Sequence, residues 1–260
     1  GNTCGYSMFF RDENIYRMYY RAATINFDGD GNILHILPGR ICYAESKDGK
    51  TFYKPNLGIC EFNGRKDNNI ILDDRDYDNF SVFKDANPDC PPEERYKGLT
   101  GETHTDSNGE KTYSLTLYKS RDGIHFSAGE VIITNGAFDS LNLAFWDDHR
   151  KEYRLYFRDL HDYVGKDKWT GIRDIRVSTS KDFRNWSEPR RLNYGEGAPD
   201  YHMYTNGIKP YPRADHLYLG FPTRYMDRDK DVQNFKHLPD YRNRQVMTKL
   251  WGRSGTAMTD

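Results

Sequence analysis

Hydrophobic and aromatic positions in this chain fall in short runs of four to seven residues, separated by polar stretches, and the runs recur in the same order. Tyr6–Phe10, Ile15–Arg21 and Ile41–Glu45 are followed by Phe80–Phe83, Arg95–Leu99 and Tyr113–Tyr118, and then by Leu141–Trp146, Tyr153–Arg158 and Ile172–Val177. Each run is rich in aromatic and β-branched residues with partial alternation, which predicts strands. Each group of three ends in one signature: Ser46-Lys47-Asp48-Gly49-Lys50-Thr51-Phe52, Ser120-Arg121-Asp122-Gly123-Ile124-His125-Phe126, and Ser180-Lys181-Asp182-Phe183-Arg184-Asn185-Trp186. The copies lie 74 and 60 residues apart, somewhat longer than the roughly 40 to 50 residues of compact propeller repeats. The signature reads as a tight hairpin. Asp-Gly supplies positive φ, Ser and Asp side chains bond nearby backbone N–H groups, and an aromatic residue is delivered into a fourth strand.

A fourth module opens with Tyr204–Tyr211 and His216–Phe221 and lacks its own turn signature, with Thr256–Asp260 standing where a third strand would start. Four-stranded antiparallel sheets repeated around an axis make a β-propeller. The expectation is an all-β, five-bladed β-propeller of which residues 1–260 form a single domain covering about three and a half blades, incomplete at both ends.

Composition adds limits. The 20 Tyr and 14 Phe supply flat side chains for stacked sheets, and the low apolar fraction fits strands with one wet face. A net charge of −1 with no basic stripe argues against nucleic acid and anionic membranes. No apolar run approaches the roughly 20 residues that span a bilayer. Cys4, Cys42, Cys60 and Cys90 stand at wide, irregular intervals with no C-x-x-C pair, so they read as small buried hydrophobes, and neither a metal site nor a cofactor is expected.

Functional residues are sought where the repeat is broken. In a propeller the first strand of each blade lines the central channel, and loops at one end form a pocket. Asn79, Asp139, Asn142 and the run Asp200–Asn206 sit at first-strand starts; Arg21, Glu102, Arg158-Asp159 and Arg224 sit at or just beyond second-strand ends. Asp139, Asp159 and Asp200 align at the same end of neighbouring strands. Converging carboxylates suit glycosidic bond cleavage, in which one acid protonates the leaving oxygen and another acts as nucleophile or activates water. These three are the candidate catalytic residues. Arg21, Asn79, Arg158, Glu196, His202, Tyr204 and Asn206 are the candidate substrate-binding residues. Trp146 reads as core, Trp169 as a possible sugar-stacking ring, and the acid-rich runs Asp73–Asp78 and Asp227–Asp231 as solvated loops.

Arg158-Asp159 resembles the Arg-Asp-Pro motif of the five-bladed propeller glycoside hydrolases of family 32, and the layout is similar to the related families 43, 117 and 130. Phe138–Trp146, Asn87–Lys97 and Tyr204-Thr205-Asn206 resemble a bacterial group similar to family 32, over nearly the whole chain. The resemblance implies that Asp159 holds sugar hydroxyls and stabilises the transition state, and that Asp200, or else Glu196, stands near the general acid. Three features depart from it: Leu160 replaces the motif's Pro, no Glu-Cys pair follows, and the first-blade Asn-Asp-Pro-Asn motif is absent. The expected partner is a carbohydrate, and a periplasmic or secreted location is favoured over a cytoplasmic one. The competing readings are a non-catalytic carbohydrate-binding propeller and a protein-interaction platform, and the fold alone does not choose among them.

Overall fold

The computed structural model describes residues 3–28, 32–127, 129–165 and 167–226, with 237, 239, 241–242, 245 and 257–258. Apart from two three-residue 3-10 turns, Pro92–Glu94 and Lys168–Thr170, the described residues from 3 to 226 are strand and loop. Three four-stranded antiparallel meanders follow one another. The first is β1 (Thr3–Asp12), β2 (Ile15–Phe27), β3 (Ile33–Ser46) and β4 (Ile70–Leu72). The second is β5 (Ser81–Lys84), β6 (Tyr96–Thr105), β7 (Lys111–Ser120) and β8 (Glu130–Ile133). The third is β9 (Leu143–Asp147), β10 (Glu152–His161), β11 (Ile172–Ser180) and β12 (Arg190–Arg191).

The fourth module is interrupted. Its first strand is split into β13 (Met203–Thr205) and β14 (Lys209–Tyr211), and its second into β15 (Ala214–Leu219) and β16 (Thr223–Tyr225). β14 pairs β15, β13 pairs β16, and β17 (Ala257–Met258) joins β16 as the third strand, with Arg224 opposite Met258. The predicted strand order is therefore seen in all four modules, with four complete strands in three of them.

The repeated signature does more than reverse the chain. Ser46 Oγ accepts the N–H groups of Asp48 and Gly49 and donates to Asp48 Oδ1, which in turn accepts from Lys50 and Thr51. The same pattern forms at Ser120–His125, and a near-copy at Ser180–Asn185. Gly49 and Gly123 take positive φ, and Phe183 occupies the same left-handed conformation at φ 62°. Strain at a non-glycine residue of this kind costs on the order of 1 kcal/mol. Phe183 is wedged among Phe83, Tyr153 and Trp186, and the burial offsets that cost. One expectation is corrected here: the aromatic at the end of the signature does not enter the fourth strand. Phe126 and Trp186 pack onto the cores between sheets, and β4, β8 and β12 begin only at Ile70, Glu130 and Arg190.

Successive sheets pack face to face. One core lies between the first and second sheets around Tyr19, Tyr43, Phe80 and Tyr118; the next, between second and third, around Leu99, Leu117, Leu155 and Phe157; a smaller one joins the third sheet to the fourth module through Tyr156, Ile175 and Ile208. The third sheet is thus covered on both faces. That explains why β10 is buried at odd and even positions alike, where strands with one wet face had been expected. Residues from the first strands of all four modules, among them Met8, Phe10, Ser81, Phe83, Leu143 and Pro210, line one cavity of about 270 Å³. Convergence of first strands is the arrangement that a propeller requires.

Cys42, Cys60 and Cys90 are buried free thiols. Cys90 is more than a small hydrophobe. The ammonium of Lys97, itself only 1 % exposed, donates to its Sγ at 3.2 Å and to Asp85 at 2.6 Å.

At the rims of the first strands a ladder of buried amides fixes the backbone. Asn142 Nδ2 lies 2.9 Å from the Phe138 carbonyl and 3.0 Å from that of Ser140, with Asn79 Oδ1 at 3.2 Å. Asn79 Oδ1 also accepts from Gly101 N–H at 3.3 Å. Replacing Asn142 by Ala strips two buried carbonyls of a donor, and the expected loss is about 3 kcal/mol of unfolding free energy. Urea denaturation of the variant beside the wild type checks this.

Candidate active site

Phe138 sits at φ 56°, between the turn after β8 and the start of β9, and its carbonyl is held by the amide ladder. A Cβ at position 101 would stand 2.0 Å from that carbonyl, so Gly101 is what lets β6 approach. The constrained turn aims the next residue, Asp139, at Arg158 near the end of β10. Both Asp139 oxygens are engaged: Oδ1 accepts from Arg158 Nε at 2.9 Å, and Oδ2 accepts from Nη2. Arg158 is 3 % exposed. Burial opposes its charge, yet Asp139 more than compensates, and its pKa is raised. Its guanidinium also lies over the Tyr204 ring, 4.3 Å from the centroid.

Around this pair stand groups from every module. Tyr6, at φ 49° in the bulge where β1 slips register between Gly5 and Met8, sets its hydroxyl 3.5 Å from Ser140 Oγ. Ser140 donates to the Tyr204 carbonyl at 2.9 Å. Burial pushes the Tyr6 phenol well above its ordinary range, with Tyr204 adding to the shift and Arg158 opposing it. A bulge that re-aims a side chain in this way is a frequent device beside active sites.

Asp78, immediately before Asn79, completes the group. It is open to solvent by area, but protein surrounds it closely enough that burial raises its pKa; Asp139 raises it further, and Arg21 and Arg158 hold it down. A carboxyl both accessible and crowded belongs on the wall of an open depression. Arg21 is fixed by donating from Nε to the Tyr77 carbonyl at 2.5 Å, in space that only a glycine at position 39 leaves free. Two guanidiniums, from the first and third sheets, and two carboxyls, from the loops before β5 and β9, flanked by two phenols, therefore act on one another at this rim. Asp78 is exposed, as the solvated-loop expectation for Asp73–Asp78 has it, and it also lies within reach of these charges.

Asp159 faces the other side of β10. It is 7 % exposed, with Lys168 Nζ 2.5 Å from Oδ1. Across the sheet it stands opposite Asp174, which is held by Arg176 at 2.6 and 2.9 Å and by His161 Nδ1 at 2.7 Å. The other His161 nitrogen, Nε2, lies 2.9 Å from Asp200 Oδ2, and Arg191 Nη2 donates to Asp200 Oδ1. The hydrogen bond from His161, with Arg191 beside it, keeps the Asp200 carboxyl below its ordinary range. The expectation that sets Asp200 near the proton donor thus meets a carboxylate stabilised in its ionised form. Each of the three expected carboxylates has its own cation: Asp139 has Arg158, Asp159 has Lys168, and Asp200 has Arg191.

Of the remaining expected residues, Asn79 and Asn206 are fully buried framework amides, the latter donating to the Leu141 carbonyl at 2.9 Å. His202 accepts the Arg173 N–H at Nδ1, 3.2 Å away, and lies 6.0 Å from the Tyr225 ring. Glu196 is exposed on the loop between Gly195 and Gly197, both at positive φ. Trp146 packs in the core against Tyr153, whereas half-buried Trp169 bonds Tyr113 Oη at 2.8 Å beside Lys168. Asp227–Asp231 lies outside the described residues. Sequence reasoning passed over Tyr6 and Asp78. Adjacency to Asn79 was the available signal for the second.

No family model matches the chain, and none of the curated proteins compared matches it. Among solved structures it is similar to an N-acetylgalactosamine deacetylase from F. plautii, with a TM-score of 0.48 and 13% identity over 82% of this chain and 62% of that one. It is similar to a sucrose-6-phosphate hydrolase from Lactobacillus gasseri, again at 0.48 and 13%, over 82% and 37%. A β-1,2-mannobiose phosphorylase from Listeria innocua gives 0.46 and 13%, over 83% and 66%. The chain spans less than two thirds of the length of each of these three.

The like charge of Asp139 is part of what raises Asp78, so Asp139→Asn is expected to move the Asp78 pKa down toward the ordinary carboxylate value. Carbon-13 NMR of the side-chain carboxyl reads this directly. A raised folded-state pKa means that ionising Asp78 costs stability as pH rises through it. Asp78→Asn is therefore expected to stabilise the protein at neutral pH and to leave it unchanged well below pH 4, as compared by denaturation midpoints.

Proposed function

We propose that this protein is a glycoside hydrolase that cleaves a glycosidic bond in an oligo- or polysaccharide at the rim formed by Tyr6, Asp78, Asp139, Arg158 and Tyr204. The observation that carries the reading is the Asp78–Asp139 pair. Two carboxyls feel one another electrostatically, and their surroundings differ, one crowded and raised toward its neutral form, the other gripped by a guanidinium fork. Such a division separates a proton donor from a carboxylate. In this reading Asp78 protonates the leaving oxygen, and Asp139, oriented by Arg158, attacks the anomeric carbon or activates water. Asp159 holds sugar hydroxyls together with Lys168. The phenols of Tyr6 and Tyr204 offer an amphipathic wall of the kind that suits a pyranose ring. A periplasmic or secreted location goes with a glycan substrate.

One observation favours the alternative, a non-catalytic carbohydrate-binding domain: Arg158 already engages both oxygens of Asp139. Release of reducing sugar from a panel of plant and microbial oligosaccharides separates the two. Hydrolysis is expected, with Asp78→Asn and Asp139→Asn each lowering kcat/KM by roughly 10³-fold while the fold is retained. The alkaline limb of the pH–rate profile should follow the Asp78 pKa. Glycan binding without product, unchanged by these substitutions, would replace the hydrolase reading with the binding one.

A further inference from the structure

The end of β10 next to Asp159 holds a second arrangement that the hydrolase reading does not use. His161, Asp162 and Asp200 each offer one ligand atom, and these atoms all lie within 4.8 Å of one another. Asp200 Oδ2 is 2.9 Å from His161 Nε2, and Asp162 Oδ2 is 3.8 Å from it. Ligand atoms about 2.0 to 2.2 Å from a shared ion at tetrahedral angles stand roughly 3.3 to 3.6 Å apart, and the two observed separations bracket that range.

The supporting contacts have the form of a metal site's outer shell. Asp174, 1 % exposed, lies 2.7 Å from His161 Nδ1 and is itself clamped by Arg176. Asp174 accepts the Nδ1 proton and fixes the ring, so an ion that replaces the Nε2 proton now shared with Asp200 would meet the Nε2 lone pair between Asp200 and Asp162. Arg191 holds Asp200 by Oδ1 and leaves Oδ2 turned to the same point. One imidazole thus meets three carboxylates, of which one orients it and two share its open side. A nitrogen with two oxygens favours a divalent transition ion over the hard, all-oxygen cations.

We propose that His161 Nε2, Asp200 Oδ2 and Asp162 Oδ2 bind a divalent transition-metal ion of the zinc type, with Asp174 and Arg191 as positioning residues. An ion there, between the exposed Asp162 and Asp200 and close to Asp159, which lies two residues before His161 on the same face of β10, would take a pair of sugar hydroxyls. That use rests on the hydrolase reading; the ion site itself does not.

The test is calorimetric titration of the chelator-treated protein with zinc chloride, beside His161→Ala, Asp200→Asn, Asp174→Asn and the exposed Asp162→Asn, with circular dichroism as the check on folding. One zinc per chain is expected, with affinity lost in His161→Ala and Asp200→Asn and lowered about 10- to 100-fold in Asp174→Asn. Cobalt bound at the same stoichiometry should show visible absorption bands that vanish in His161→Ala. Absence of zinc binding to the wild type, or binding that folded Asp162→Asn and His161→Ala leave unchanged, would overturn the site. Neither result depends on whether the protein hydrolyses a glycan.

Discussion

The candidate site depends on a single carbonyl, that of Phe138. Two buried asparagines from neighbouring modules direct their amides at it, and it sits in a left-handed residue that the chain would otherwise avoid. A bare glycine at 101 makes room for it. With the carbonyl fixed, the following carboxylate has one place to go, onto Arg158, and Arg158 in turn lies flat on Tyr204. The framework residues at 79 and 142 thus govern the charge arrangement without taking part in it. This is how preorganisation is usually built: polar groups that react or bind are held by others that do neither.

The rim is also electrically economical. Arg21 and Arg158 keep two acids, Asp78 and Asp139, in one neighbourhood, and the charge of Asp139 adds to the burial that pushes the Asp78 pKa up. On the opposite face of β10 a separate set, Asp159, Asp174, His161 and Asp200, is matched by Lys168, Arg176 and Arg191. Low-dielectric surroundings make unpaired charge expensive, which is why acids and bases are interleaved in both sets.

Strand order and the three turn signatures were legible in the sequence, because alternation and turn chemistry are local properties; the splitting of both fourth-module strands was not. Arg158, Asp139, Tyr204 and Arg21 were legible one by one, from their places at first-strand starts and second-strand ends, but the set read as converging, Asp139 with Asp159 and Asp200, is split by β10. Tyr6 was not, since its part depends on a bulge in β1 that no local signal announces. Asp78 hid in an acid-rich stretch, and its neighbours Asp139 and Arg158 lie 61 and 80 residues further on. Asn79 and Asn206 were read as ligand groups because polar residues at strand starts usually face outward, whereas here they bond carbonyls of the adjoining module. The His161–Asp200 contact joins residues 39 apart and follows no spacing rule.

β10 carries adjacent residues of opposite charge into opposite clusters, Arg158 toward Tyr204 and Asp159 toward Lys168. Side chains alternate along a strand, so slippage by one residue would exchange them. A guanidinium would then meet an ammonium on one face, and a carboxylate would meet a carboxylate on the other. The register is set further down the strand, by Leu155 and Phe157 in one core and Tyr156 in the next. The greasy half of β10 is therefore the part that writes the sign of the charge at its tip. A one-residue insertion between Phe157 and Arg158 would invert both clusters and leave every hydrophobic contact below it intact.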